Sequence, residues 1–465
     1  MSSEKRPNIV FIMSDDHAAH AISAYGSAIN ETPQIDRIAN EGARFDNCFC
    51  TNSLCAPSRA AILTGVHSHL NGVLTLADEL DGRQETFPKQ MQADGYQTAI
   101  FGKWHLGHGG TSDPTGFDRW SILPDQGLYH DPEFFVMGKL QKFDGYVTDL
   151  ITDFSLDWLR DRDPDRPFMM MVHHKAPHRP WEPDEKHQYM YEDVEIPLPA
   201  TFDDDYENRS NAAKNARMRI ERDLTHTDVK ADVPSGLTPS ERKNWLYQRY
   251  IKDYLRCVAS IDDNVGRVLD YLDAENLTND TVVIYTSDQG FFLGDHGWYD
   301  KRFMYEESLR MPFLMRYPRE IPASSVVETM VTNVDFAPTF LDYGQLEPAE
   351  RMQGASFRGI AAGDAPPIDW PEAMYYRYWM HLSHHNVPAH YGIRTSRYKL
   401  IYYYGEALGT TESIDSPTAP EWELFDLQSD PMELRNVHTD PAYAAVVQEL
   451  TAELYRLKEH YRDDR

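Results

Sequence analysis

Residues 7–13 (PNIVFIM) are a mostly apolar run that ends in Ser14, Asp15 and Asp16, and residues 281–286 are a β-branched-rich run that ends in Ser287, Asp288 and Gln289. Runs this short and this continuous predict strands buried on both faces. Residues 97–101, followed by GKWHLG, and residues 168–172, followed by HHKAPH, read the same way. Between them, Tyr254, Val258, Ile261, Val265, Val268 and Leu272 recur at spacings of four and three, which is one face of an amphipathic helix lying on a sheet. Strands alternating with helices predict an α/β fold with a largely parallel sheet. In such sheets ligands bind beyond the carboxyl ends of the strands. Every polar cluster just named falls at one of those ends.

The pattern changes twice. Residues 201–242 are highly charged, with a helix-forming string AAKNARMRIERDL and little apolar content, so this stretch is expected to be a surface insertion able to act as a lid. From residue 366 onward the chain turns to aromatic, alternating runs such as YKLIYYYG, then a turn-rich FDLQSDPMELRN and a final helix. This predicts a large domain over 1–365 and a smaller antiparallel subdomain over 366–465, consistent with a length that one core serves poorly.

Composition narrows the partners. The formal net charge of −29 repels nucleic acid and anionic membrane surfaces, so neither is expected to bind, and an anionic substrate needs a local cluster of cations. No stretch is apolar for long enough to span a bilayer. The four cysteines, Cys48, Cys50, Cys55 and Cys257, are too few and too clustered for a disulfide scaffold, and Cys48 and Cys50 read as part of a buried strand. A short polar tail leads directly into the first strand, which implies a cytoplasmic protein if Met1 is the native start and a periplasmic one if a signal peptide preceded it.

In CAPSRAAILTG, residues 55–65, Pro57 suits the first turn of a helix and places Cys55 at its N-terminus. Arg59 lies one turn on and leans back toward Cys55, so dipole and guanidinium together favour an anion there. On chemistry alone Cys55 is either a thiolate nucleophile or a buried cysteine beside a helix cap. Asp15, Asp16 and Asp288, at two strand ends, form a hard-oxygen cluster suited to Ca²⁺ or Mg²⁺ rather than zinc.

The whole string at 55–65 resembles the activation signature of type I sulfatases, in which a cysteine followed by x, Pro, Ser and Arg is oxidised to formylglycine by a maturase. The resemblance extends from about Asn8 to the region of Pro318, with a weaker echo in YGIRTSRYKLI and WELFDLQSDPMELRN. It implies the alkaline phosphatase superfamily fold: a large mixed, mostly parallel sheet between helices, plus a smaller C-terminal sheet. It also assigns a cation to Asp15, Asp16, Asp288 and Gln289, with the formylglycine at Cys55 completing the set. Many members have Asn where this chain has Gln289. Calcium is favoured by the resemblance, whereas ligand chemistry alone leaves magnesium open. Arg59, Lys103, His105, His178 and Lys301 match the family's anion-binding and proton-transfer positions. The implied reaction is attack of a hydrated aldehyde on sulfur, with His178 protonating the leaving oxygen and His105 taking a proton from the second hydroxyl.

KDYLRCVASIDDNVG and DKRFMYEESLRMPFLMRYP look most like bacterial carbohydrate sulfatases of the N-acetylglucosamine-6-sulfatase and iduronate-sulfatase groups. A small sulfated sugar, or an aryl sulfate, is the implied substrate. His296, in LGDHGWYDKRF, is expected to bind it. His390 and Arg394, in the aromatic and histidine-rich segment 374–394, are expected to line its rim, the alternative being a Tyr-rich subdomain core. The rivals are a phosphonate monoester or phosphodiester hydrolase of the same superfamily and a catalytically silent calcium-binding relative.

Overall fold

The computed structural model describes residues 6–465. Its centre is a ten-stranded sheet. Five neighbouring strands, Thr281–Ser287, Asn8–Ser14, Phe168–His173, Gln97–Lys103 and Arg119–Leu123, run parallel. The flanks are mixed, with Phe313–Arg316 antiparallel to Thr281–Ser287 on one side and Glu133–Val136 antiparallel to Arg119–Leu123 on the other. All four predicted strands are present and fully buried, as apolar runs covered on both faces require.

Helices Pro33–Asn40, Val147–Asp161 and Pro239–Ala274 pack together as one layer on the sheet. The last of these is 36 residues long and carries the predicted stripe, with Tyr254, Val258, Ile261, Val265, Val268 and Leu272 all buried. A capping box starts it, in which the Thr238 hydroxyl accepts from the Glu241 N–H. A second layer holds Cys55–Thr64, Phe87–Ala93 and Phe336–Tyr343, and Phe336 and Phe340 meet Phe11 of the sheet edge-on. Gly102, near the end of its strand, has φ +103°, and a Cβ there would strike the His173 carbonyl. A side chain is thereby excluded where two central strands close on one another.

Strands Ala373–Tyr378, His390–Thr395, Tyr398–Tyr403 and Glu421–Asp426 form a separate antiparallel sheet in chain order. Period-two alternation gives it two dry faces. Tyr375, Ile393, Leu400 and Leu424 pack under the final helix, Ala444–His460, while Tyr376, Tyr378, Ile401 and Phe425 join the main core. The small sheet is therefore built into the large domain along one whole face.

Two expectations need correction. The stretch 201–242 is not a detached surface insertion: its charged residues are largely exposed, but Phe202, Tyr206, Ala213, Met218, Ile220 and Val229 are buried in the main core, and its helices are short, Asn211–Asn215, Ile220–Asp223 and His226–Val229. Sparse apolar residues at irregular spacing anchor a charged segment without any periodic signature. Cys50 lies just past the strand Cys48–Phe49 rather than within it, and all four cysteines are buried and unpaired.

Candidate active site

Ser14 pairs with Ser287 at the carboxyl ends of two adjacent parallel strands. The next residues are therefore brought together: Asp15 and Asp16 from one strand, Asp288 and Gln289 from the other, all with essentially no exposure. Asp16 turns into the left-handed region at φ +66°, a conformation that aspartate tolerates, and its N–H donates to Asp288 Oδ1 at 3.3 Å. Tyr254, on the long helix, clamps this turn by donating to the Asp16 carbonyl at 2.7 Å and accepting from the Ala18 N–H at 2.9 Å. One oxygen each from Asp15, Asp16 and Asp288 lie within 4.8 Å of one another.

Cys55 opens the helix Cys55–Thr64, every residue of which is buried, with Pro57 in its first turn and Gly65 closing it in the left-handed region. Its Sγ lies 3.3 Å from Asp15 Oδ1 and 3.4 Å from Lys301 Nζ. Arg59 reaches back along the helix: Nε donates to Asp288 Oδ2 at 2.9 Å, Nη1 to the Lys103 carbonyl at 2.6 Å, and Nη2 lies 3.6 Å from Asp15 Oδ2. Lys103 pairs with Asp15 and Lys301 pairs with Asp16. His178 Nε2 is 3.8 Å from Asp16 Oδ2, and its Nδ1 is engaged by the Arg179 carbonyl at 2.8 Å. Cationic side chains thus enclose the carboxylates, and removing one member of such a buried set costs about 3–5 kcal/mol.

Burial raises the Asp15 carboxyl, but Lys103 foremost, with His178, Arg59 and Lys301, outweighs it and holds the group well below the usual carboxylate range. Asp16 is pushed up to about 7, chiefly by burial, with Asp15 and Asp288 adding to it against Lys301. Asp288 is raised by burial and by Asp15. Carboxylates crowded until they resist ionisation make a cation cradle. Gln289 supplies a second sign of one: its Nε2 donates to Asp16 Oδ1, while its buried Oε1 has no hydrogen-bond partner. Four hard oxygen donors, one of them orphaned, fit a Ca²⁺ or Mg²⁺ ion.

A cavity of about 350 Å³ opens over Cys55 and is walled by Gln126, His178, Lys301, Arg302, His384 and His385. Several of these were missed from sequence. Gln126 follows the strand Arg119–Leu123, a carboxyl end of the parallel sheet like those that were read, and accepts from Lys103. Asp300 holds His385 Nε2 at 3.0 Å and lies 3.5 Å from Arg302 Nε. Asn333 donates to Ser58 Oγ at 2.9 Å and so braces the Cys55 helix, with no sequence signal to reveal it. His105 stands further out, φ +56°, with Nε2 3.4 Å from Gln126 Nε2 and Nδ1 unpartnered.

The three residues expected to bind substrate are not brought to this cavity. His390 is fully buried among the rings of Phe303, Tyr376, Tyr378 and Tyr403, and burial lowers its imidazole to about 4, so the Tyr-rich core describes it. Arg394 pairs with Glu306 at 3.2 Å over the Phe49 ring and faces a different cavity. His296 is buried with Nδ1 2.8 Å from Asp204 Oδ2. The segment 374–394 does reach the site, through His384 and His385 instead. A 3-10 turn after the first strand of the small sheet turns those two outward, while alternation within the next strand points His390 inward.

The sulfatase family matches residues 7–346, and the C-terminal region of the N-sulphoglucosamine sulphohydrolase family matches residues 294–460. The chain belongs to the sulfatase family. It is 44% identical to an N-acetylglucosamine-6-O-sulfatase of Bacteroides thetaiotaomicron, over 99% of this chain and 88% of that protein. A solved structure in complex with its substrate D-glucosamine-2-N,6-O-disulfate superposes with a TM-score of 0.93, at 43% identity and 99% coverage of both chains. The phosphonate monoester hydrolase of Agrobacterium radiobacter shares the fold at a TM-score of 0.74, with 20% identity over 98% of this chain and 94% of that one. The sulfatase fold thus accounts for both sheets.

An unmodified Cys55 is a poor nucleophile in this setting, since burial and then Asp15 push its thiol up to about 12. In protein that carries the thiol, alkylation of Cys55 at neutral pH should run about 10³-fold slower than that of a free thiol. Peptide mapping after a timed iodoacetamide pulse checks this, and fast labelling at position 55 would contradict it.

Proposed function

We propose that this sulfatase hydrolyses the sulfate ester of a sulfated sugar, with 6-O-sulfated glucosamine units as the substrate class, using a formylglycine made from Cys55 and a calcium ion. The observation that carries the reading is the convergence of Asp15, Asp16, Asp288 and Gln289 with Cys55, under Arg59, Lys103, Lys301 and His178. The likeness to a 6-O-sulfatase over nearly the whole chain supports the choice of sugar.

The cation would rest on Asp15, Asp16, Asp288, Gln289 and the oxygen at position 55, where it neutralises sulfuryl oxygens, while the aldehyde hydrate supplies the attacking hydroxyl and a second one through which sulfate departs. Lys301, beside position 55, and Lys103, paired with Asp15, bring two ammonium groups to the site, and Arg59 adds a guanidinium from the next helical turn. Burial and then Lys103 hold the His178 imidazole well below its usual value, so it rests neutral. Negative charge brought by the ester raises it. Because the Arg179 carbonyl holds Nδ1–H, Nε2 carries the lone pair at rest, and the proton it takes up from solvent as the anionic ester binds is the one it gives to the leaving oxygen. His105, also lowered by burial and Lys103, is kept as an uncharged base behind Gln126.

A panel of sulfated monosaccharides, nitrophenyl sulfate and phenyl phosphonate tests the function. The expected result is fastest turnover of a 6-O-sulfated glucosamine and loss of turnover in both Cys55→Ala and Cys55→Ser; preference for the phosphonate, or wild-type rates in either variant, would overturn it. His178→Ala should slow a sugar sulfate by about 10²–10⁴-fold and nitrophenyl sulfate far less, since a phenolate leaves without protonation. Equal losses on both substrates would refute proton donation by His178. Added calcium should raise the melting temperature of the chelator-treated enzyme, and Gln289→Leu should blunt the rise, each tenfold loss of affinity removing about 1.4 kcal/mol at saturation. An unaltered response in Gln289→Leu would remove that residue from the ligand set.

A further inference from the structure

The 382–388 segment, which lines the Cys55 cavity, also lines a second groove of about 470 Å³, whose walls include Lys214, Arg217, Arg222, Leu382, Asn386 and Tyr403. The two spaces share one wall. His384 and His385 face the Cys55 cavity, while Leu382, two residues before them, and Asn386, the next residue after them, face the groove. The wall is held at this spot by backbone contacts: the Arg217 N–H donates to the His385 carbonyl at 2.7 Å, and the Arg217 carbonyl engages His385 Nδ1 at 2.7 Å. Asn386 Nδ2 donates to the Asn215 carbonyl at 3.1 Å.

The charge in this groove runs against that of the molecule. The chain carries 74 acidic and 45 basic residues, and many of its cations are spent on carboxylates; Lys230 and Arg256, near Trp245, are tied to Asp253. Lys214 and Arg217 are exposed, and among the described residues neither side chain has an ion pair or hydrogen bond. Arg222 is half satisfied, bonded to Asp223 and to the Ala216 carbonyl at 2.6 Å. The one carboxylate of the lining, Glu421, is turned onto Asn211, accepting from its N–H at 2.6 Å and from its side chain. Two unpaired cations in a concave wall that also carries Asn211, Asn215, Asn386 and the part-exposed Leu382 suit an anionic sugar: charge for the acid group, amides for hydroxyls, an apolar side chain for the ring face.

We propose that this groove binds the acid group, carboxylate or sulfate, of a sugar unit linked to the one whose ester is cleaved at Cys55. The inference rests on the sugar-sulfate reading and extends it: the preferred substrate is an anionic oligosaccharide rather than a lone monosaccharide. Lys214 and Arg217 supply the recognition, and neither touches the reacting centre.

The test compares wild type with Lys214→Ser/Arg217→Ser on two substrates, a 6-O-sulfated glucosamine monosaccharide and a tetrasaccharide of alternating 6-O-sulfated glucosamine and uronic acid. The expected result is a roughly three- to tenfold rise in KM for the tetrasaccharide only, with kcat and the monosaccharide kinetics unchanged. Added NaCl should erode the tetrasaccharide preference of wild type and leave the variant flat. Calorimetric binding of the same tetrasaccharide to both proteins is measured alongside. Wild-type affinity in the double variant, or an equal loss on both substrates, overturns the groove. If wild type turns over neither sugar, the sugar-sulfate reading fails, and the calorimetric comparison still decides whether the groove takes the anion.

Discussion

The parallel pairing of Asn8–Ser14 with Thr281–Ser287 sets Asp15 and Asp16 beside Asp288, and the surrounding layers seal all three from water. Carboxylates in that position repel one another in a medium too poor in dipoles to screen them. Everything packed against them answers that problem. Arg59 is delivered by a buried helix, Lys103 by the end of a third strand, and Lys301 by the position just after the short strand Tyr299–Asp300, each from a different part of the chain. A charged centre assembled from so many elements has few ways to relax, which is what a site that must hold a tetrahedral anion in one orientation requires.

The same balance makes an unmodified thiol at position 55 a poor nucleophile, which is why the proposed function places a modified residue there. A cysteine beside Asp15, away from water, keeps its proton despite the neighbouring lysine. His178 and His105 are likewise depressed, so the resting site holds fixed cations and neutral bases in separate places.

Much of this was legible in sequence because continuous apolar runs fix the strands, and a parallel sheet puts function at their carboxyl ends. Asp15 and Asp288 follow from that rule; Lys103 and His178 stand at such ends too, but were singled out only with the family resemblance, and Gln126 would have joined them had the strand Arg119–Leu123 been read. The helix at Cys55 was legible from Pro57 and the motif. What was not legible depended on which face of a late element points where. His390 was expected at the rim and lies in the aromatic core, while His384 and His385, a few residues earlier, take the rim instead. Period-two alternation decides this, and its phase could not be set before the strand boundary was known. The charged stretch 201–242 misled for another reason: a handful of large apolar side chains outweighs a high charge content once each finds a buried slot.

Tyr376, in the first strand of the small sheet, accepts from the Ser53 N–H at 3.1 Å and donates to the Arg302 carbonyl at 2.7 Å. One phenol therefore stitches the loop before Cys55 to the loop that carries Lys301. The breadth of the reaction chamber is set by a strand near the far end of the chain, so substitutions beneath that sheet can widen or narrow it while leaving every charged group untouched.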